Sequence, residues 1–386
     1  MCNEYMDSPE EALATVEAHL LENPDDASAW NMKGVLQAQK EHFGDALRSF
    51  DRAISLDPGL SAAHSNKGRV LMALGPEKAS EALRSFETAL KLNPDDVRIL
   101  HDKALSLRAL GRSEAELECY KRLSELVGAE WGVWLRKGDI ELELGLFDSA
   151  LNSFDRALEL KEDLTSAYVH KAIALTMLEQ FGEALKSAKK ATKIDPRNIE
   201  AWLILGDVNI RAEKYKAAMK ALERASDLDP TDASVQNTMG MVCYKQGRLK
   251  DAVRYLRLAV GRRRNYTTAL RNLGLILMEL EEWSEAKEVL TRLSSVVTDD
   301  PDVYDALATA HARMDYFCPA HEAWEKARKL YKRKGNQNDA ERVTVLGRAA
   351  RINCSRQKKA LKEKKEREKM QRRFSNRHAL RRKKMK

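Results

Sequence analysis

Cysteine is sparse in this 386-residue sequence: Cys2, Cys119, Cys243, Cys318 and Cys354 stand singly and far apart. Odd in number and without a Cys-x-x-Cys pair, they suggest no disulfide framework, a usage that suits a reducing, cytoplasmic setting. Long apolar runs are missing too. Nothing approaches the roughly 18 uncharged apolar residues that a membrane span requires. The opening Met1-Cys2-Asn3-Glu4-Tyr5-Met6-Asp7 has neither the basic patch nor the apolar stretch of a secretory leader. Aromatics are 6% and Pro numbers 9, whereas apolar residues reach 43% and charged ones 33%. That balance, rich in Ala, Leu, Glu, Lys and Arg, predicts helix rather than sheet.

Catalytic signatures are equally absent. The chain holds no Gly-x-x-x-x-Gly-Lys-Ser/Thr and no Gly-x-Gly-x-x-Gly to cradle a phosphate, and no Gly-x-Ser-x-Gly or His-Glu-x-x-His. Among the histidines only His321, three residues after Cys318, has a partner at metal-ligand spacing, and one pair falls far short of a four-ligand site. The expectation is a non-enzymatic protein without cofactor or metal.

What is present is a period. Ala150, Ala184, Ala218, Ala252, Ala286 and Ala320 follow one another at 34 residues, and Ala46 and Ala82 extend the series upstream across a two-residue insertion near Gly75-Pro76. Glu116 is the one exception in register. A large residue precedes most of these positions by 16: Trp30, His64, Leu100, Trp134, Tyr168, Trp202, Gln236, Leu270 and Tyr304. Four residues after each comes a small one: Gly34, Gly68, Ala104, Gly138, Ala172, Gly206, Gly240, Gly274 and Ala308. Downstream of the central Ala lie Phe50, Phe86, Tyr120, Phe154 and their counterparts, then a second Ala, and Pro58, Pro94, Pro196 and Pro230 close four units. Each unit reads as two short amphipathic helices around a turn, unable to cover its own apolar face unless neighbours stack upon it.

The order large–small–Ala–aromatic–Ala–Pro at this spacing closely resembles the tetratricopeptide repeat family. The resemblance implies an all-α, right-handed superhelical α-solenoid of about nine helix-turn-helix repeats: 27–60, 61–96, 97–130, 131–164, 165–198, 199–232, 233–266, 267–300 and 301–334. Residues 1–26 are expected to add a capping half repeat and 335–354 a C-terminal capping helix, with Val343, Leu346 and Ile352 available to cover the last repeat.

The resemblance also implies a protein or peptide partner in a concave groove lined by the first helices. Carried over by position, the groove takes Asn31, Arg69, Met72, Arg98, His101 and Arg108 from early repeats. Leu135, Leu142, Val169, Ile173, Leu203 and Ile210 follow from the middle, and Asn237, Met241, Tyr244, Arg271, Leu275 and Met278 from the later ones. Asp302 and Asp305 would form an acidic lip. The dicarboxylate clamp of chaperone adaptors is broken here. Asn66 and Arg98 match it, but Asn31, Val35 and Asp102 stand where its Lys, Asn and Arg belong.

The formal charge of +8 conceals an asymmetry: residues 355–386 carry 16 Lys and Arg against 3 Asp and Glu. The tail is punctuated by Lys358, Lys359, Lys364, Lys365, Arg372, Arg373, Arg381, Arg382, Lys383 and Lys384, on a helix or a disordered segment. The remaining body is net −5. Scaffolding of proteins is the leading expectation; the alternative is contact of the basic tail with RNA, ribosomes or an acidic protein.

Overall fold

Helix starts and stops follow directly from local chemistry. The structure, a computed structural model, describes residues 9–384, with side chains described over 10–371. Cys2 and the first eight residues of the expected capping half repeat lie outside the described residues. Twenty α-helices and one short 3₁₀ turn occur among them, with no strand.

The first helix of each pair is α2 (Ala27–Gln39), α4 (Ser61–Leu74), α6 (Val97–Ala109), α8 (Trp131–Glu143), α10 (Thr165–Met177), α12 (Ile199–Arg211), α14 (Ala233–Lys245), α16 (Thr267–Glu279) or α18 (Pro301–Arg313). The second is α3 (Phe43–Leu56), α5 (Ala79–Leu92), α7 (Ser113–Leu126), α9 (Phe147–Leu160), α11 (Phe181–Ile194), α13 (Tyr215–Leu228), α15 (Leu249–Arg262), α17 (Trp283–Val296) or α19 (Phe317–Arg333). The helices α1 (Pro9–Glu22) and α20 (Gln337–Lys384) flank them. The two-residue insertion forms the 3₁₀ turn Pro76–Lys78.

Short polar side chains open many of the first helices. Asp26 accepts from the Ala29 amide at 3.0 Å and Asn198 from the Ala201 amide at 2.8 Å, while Asp96, Asp232 and Asp300 cap α6, α14 and α18 likewise. Each satisfies donors that the first turn leaves without a partner. Proline stops the second helices: Asp57, Asn93, Asp195 and Asp229, each just before a Pro, leave the helical region at φ between −126° and −139°.

Within each pair the turn has its own repeat. Glu41, Gly111, Gly145, Glu179, Glu213, Gly247, Glu281 and Asp315 all have φ between +57° and +74°. One such left-handed residue reverses the chain in eight of the nine pairs, and the α4–α5 pair turns through Gly75 at φ +137° and the 3₁₀ turn. An added Cβ at Gly111 meets nothing within 4 Å, so only backbone conformation resists substitution there. Gly111→Ala should therefore cost about 1 kcal/mol. An unchanged urea midpoint would show that this turn accepts a side chain as freely as the Glu-bearing ones.

The small position of the repeat is chiefly a socket for a large side chain of the second helix, with a backbone carbonyl, that of Ala252, close by only at Gly240. A Cβ on Gly34, Gly68 or Gly138 would lie 2.5 to 2.7 Å from the ring of Phe50, Phe86 or Phe154, sixteen residues on, or eighteen across the insertion. Leu222, Leu256 and Leu290 fill the same space beside Gly206, Gly240 and Gly274. The central alanines, such as Ala46, Ala150 and Ala218, are fully buried.

The contacts divide the chain into two units, residues 1–196 and 197–386. In the first, α1 lies on α2 with Ala12 and Leu20 buried, and apolar clusters carry the core from Ala46 and Phe50 through Phe86 and Ile99 to Tyr120, Leu123 and Ile140. In the second, one cluster runs from Cys243 through Leu256, Leu273 and Leu290 to Leu307.

The C-terminal end differs from expectation in three respects. The cap and the tail are one uninterrupted helix, α20, with no break at residue 354. Its buried face consists of Ala340, Val343, Ala350 and Cys354 against Trp324, Ala327 and Tyr331. Ile352 is 54% exposed and Leu346 is exposed as well, because small residues let α20 lie close to α19. Third, Cys318 and Cys354 are disulfide-bonded across a Cα separation of 4.9 Å. The expectation of unpaired cysteines is thus wrong for this pair: packing of α20 on α19 brings together residues 36 apart in sequence. Cys119 and Cys243 are buried free thiols, raised above the usual thiol range by burial.

Candidate partner-binding surface

The first helices carry the residues expected to line a groove, and the structure sorts them by what each side chain is already doing. In the first unit, Arg69 is held by Asp102 at 2.6 Å, and Asn31 accepts from the Asn66 amide at 3.0 Å across α2 and α4. Arg98 is exposed and makes no ion pair among the described residues. It lines a cleft of about 430 Å³ with Asn66, Arg69, Asn93, Asp96 and Ile99. His101 is exposed, its ring edge-on to Tyr120 at 6.4 Å. Met72 and Leu135 lie half-buried on the core. Leu142 and Ile173 are half-buried too.

Two expected groove residues of this unit are corrected. Val169 is 1% exposed and belongs to the core. It sits one turn from Ile173 on α10, and its apolar character is the same whether it faces a ligand or a neighbouring helix. Arg108 is committed to Glu116, the residue that breaks the alanine series. That carboxylate is 1% exposed and accepts from Arg108 at 3.1 Å and from Arg136 at 3.0 and 3.2 Å. An uncompensated charge there would be costly, so two guanidinium groups accompany it.

In the second unit, Leu203 and Ile210 pack on the core, Met241 is half-buried, and Tyr244 rests against the cluster of α14 to α18. The side chain of Glu279 raises the Tyr244 phenol above its usual range. Asn237 is 8% exposed and accepts from Asn272 at 2.9 Å, repeating the Asn31–Asn66 pair and leaving little of it to a ligand. The acidic lip is also spent: Asp302 accepts from the Tyr331 hydroxyl, and Asp305 from the Trp324 indole at 2.9 Å and from Arg342 at 2.6 Å. Burial, then Asp302, pushes the Tyr331 phenol far above its usual range, so it stays a donor.

Between α16 and α18 a different feature emerges. Leu275, 56% exposed, borders a hollow of about 250 Å³ with Met278, Val303 and Ala306, and Arg271 and Asp302 stand at its edge. Arg271 is tied to Asp300 at 2.6 Å. Among the apolar groove positions expected from sequence, Leu275 alone is so exposed. Of the basic tail, Lys358, Lys359, Lys364 and Lys365 are exposed on α20 and make no ion pair among the described residues. Arg372, Arg373, Arg381, Arg382, Lys383 and Lys384 continue the same helix, and their side chains lie outside the described ones.

Stacked helix pairs with a left-handed turn residue and a ring seated on glycine define a helical repeat protein. Residues 5–61 and 65–129 match the tetratricopeptide repeat model, and residues 120–346 match the model of the cilia and flagella-associated protein 70 C-terminal domain, itself a tetratricopeptide array. The chain belongs to the tetratricopeptide repeat family. Comparison with curated proteins gives no match. Among solved structures it is similar to yeast Tom70, at 16% identity over 90% of this chain and 86% of that one, with a TM-score of 0.55. A tetratricopeptide repeat protein from Parabacteroides merdae ATCC 43184 aligns at 21% identity over 65% of this chain and 99% of that one, with a TM-score of 0.49. At such identities the Tom70 likeness shows the fold alone. No helix among the described residues is long and apolar enough to cross a membrane.

Proposed function

We propose that this chain is a non-enzymatic scaffold that holds segments of partner proteins on its first-helix faces, in the concave groove of nine repeats bounded as the sequence period sets them. The observation that carries the reading is the hollow of Leu275, Met278, Val303 and Ala306, where a large apolar side chain stands 56% exposed beside an ion-paired rim. Exposed apolar surface rimmed by polar groups marks interaction sites. A partner suited to it presents an apolar anchor flanked by polar groups. Arg98, free of ion pairs, offers the first unit's cleft a charge for an acidic group.

Leu275→Glu with Met278→Glu should remove a subset of the proteins that the full chain captures, leaving the far-ultraviolet circular dichroism intact. Capture of the same proteins by both versions would exclude the hollow as the docking point. A cytoplasmic setting belongs to the same proposal, and the Cys318–Cys354 bond tests it. In a reducing cytoplasm these two residues should trap as thiols when cells are lysed into an alkylating agent. Recovery of the pair as disulfide would place the protein elsewhere.

A second reading draws on the basic tail, net +13 over residues 355–386, whose Lys358, Lys359, Lys364 and Lys365 are exposed on α20, as an arm for RNA or an acidic protein.

A further inference from the structure

The body of the chain is net negative, yet its charge is unevenly laid. Residues 211–264 carry 13 Lys and Arg against 6 Asp and Glu, a net of +7 inside a body of −5. All 13 cations are exposed. They belong to one unit and fall on α13 and α15, in the turns that lead into them, at the ends of α12 and α14 and just past α15.

On α13, Lys216, Lys220 and Arg224 recur every four residues, which sets them in one row about 6 Å apart along the axis. On α15, Lys250, Arg254 and Arg257 make the corresponding row. The two helices are neighbours: Met219 of α13 packs on the α15 cluster, and Tyr255 of α15 on the α13 cluster. Beside the α13 row lies a cleft of about 430 Å³ lined by Lys216, Met219, Lys220 and Glu223 of α13 and by Gln246 and Arg248 of the turn that leads into α15. Arg262, Arg263 and Arg264 extend the basic surface past the end of α15.

Much of this charge has no protein counter-ion. Arg224, Arg248 and Arg257 are paired with Asp227, Asp251 and Glu285. Lys216, Lys220, Lys250, Arg254, Arg262 and Arg264 make no ion pair among the described residues. Arg254 instead lies over the Tyr255 ring at 4.8 Å and Arg263 over Tyr266 at 5.2 Å. Half-buried tyrosines with an arginine beside the ring, set among lysines, are the elements from which single-strand binders assemble backbone tracks and stacking platforms.

We propose that the α13–α15 face is a binding surface for single-stranded nucleic acid, separate from the first-helix faces and from the basic arm of α20. An acidic protein fits this face less well. A protein partner needs buried apolar or aromatic anchors, and Leu228, the last residue of α13, and Leu258 of α15 are the only large apolar residues exposed on these two helices. A polyphosphate chain needs what is there: repeated cations in two rows, with a cleft beside the first.

The test uses the full chain and a fluorescein-labelled uridine 20-mer, followed by anisotropy over a salt series. A ridge variant carries Lys216→Gln, Lys220→Gln, Lys250→Gln and Arg254→Gln; a tail variant carries Lys358→Gln, Lys359→Gln, Lys364→Gln and Lys365→Gln. These are exposed side chains, so both variants should melt like the parent. Single-strand contacts contribute about 0.7 to the log–log salt slope for each neutralised phosphate, so the ridge variant should lose about 3 units of slope and at least tenfold in affinity. The same ridge loss with a DNA 20-mer would still support the site and show that it does not read the sugar. An unchanged slope in the ridge variant, with loss confined to the tail variant, would overturn the proposal. So would absence of binding by the parent at low salt, or equally tight binding of poly-glutamate.

Discussion

Replacing Arg136 by Met should destabilise the first unit by about 3–5 kcal/mol, whereas Glu116→Ala should cost much less. The asymmetry comes from one buried carboxylate. Glu116 occupies the position that is alanine in the other repeats and is 1% exposed there. It is held by Arg136, itself one-fifth exposed, and by Arg108 from the more exposed side. Removing Arg136 leaves the charge with one screened partner. Removing the carboxylate restores the small side chain that the repeat has elsewhere and lets both arginines turn to water. Paired chemical melts of the three proteins decide the matter. Equal losses from both substitutions would mean that the ion pair stabilises the unit outright.

Phe154→Ala should cost about 3–5 kcal/mol, the second largest effect. The ring is fully buried and seats on Gly138, where an added Cβ would stand 2.6 Å from it. Gly138→Ala sets two terms against each other. Helix propensity favours Ala by about 1 kcal/mol, while overpacking against the ring costs about 1–3 kcal/mol. Net loss is expected for the single substitution, and a smaller loss when Phe154→Ala is already present, since the ring that the new Cβ would meet is then gone and the pair becomes the one seen in Ala172 with Ala188. An equal cost of Gly138→Ala in both backgrounds would show that ring and glycine are not coupled.

The repeat was legible because it is written in residue size. Small, large and Pro positions return at fixed intervals, and a helix pair that must stack on its neighbours has little freedom to vary them. What the small position does was less legible: Gly34 looks like a point of backbone approach until Phe50 is seen lying on it. Turn chemistry was half visible. Gly111, Gly145 and Gly247 announce a left-handed residue, but Glu41, Glu179, Glu213 and Glu281 adopt the same backbone without any such signal.

Site residues were harder to read, since one residue type serves core and surface alike. Val169 and Leu275 are both aliphatic residues on first helices, yet one is 1% and the other 56% exposed. Asp302 and Asp305 read as an acidic lip because Tyr331, Trp324 and Arg342, which consume them, lie 19 to 37 residues downstream. Net charge misled for a similar reason. Counting the whole body as −5 averaged away a +7 stretch. The Cys318–Cys354 bond shows no sequence signal either, because α20 meets α19 through small residues without a recognisable spacing.

Partner capture by the first-helix face is tested most directly by a photo-reactive benzoyl-phenylalanine placed at residue 275, beside the same substitution at residue 288 on the exposed side of α17. The account predicts covalent adducts with discrete proteins from position 275 and none from position 288. Adducts from 288 with none from 275 would contradict it.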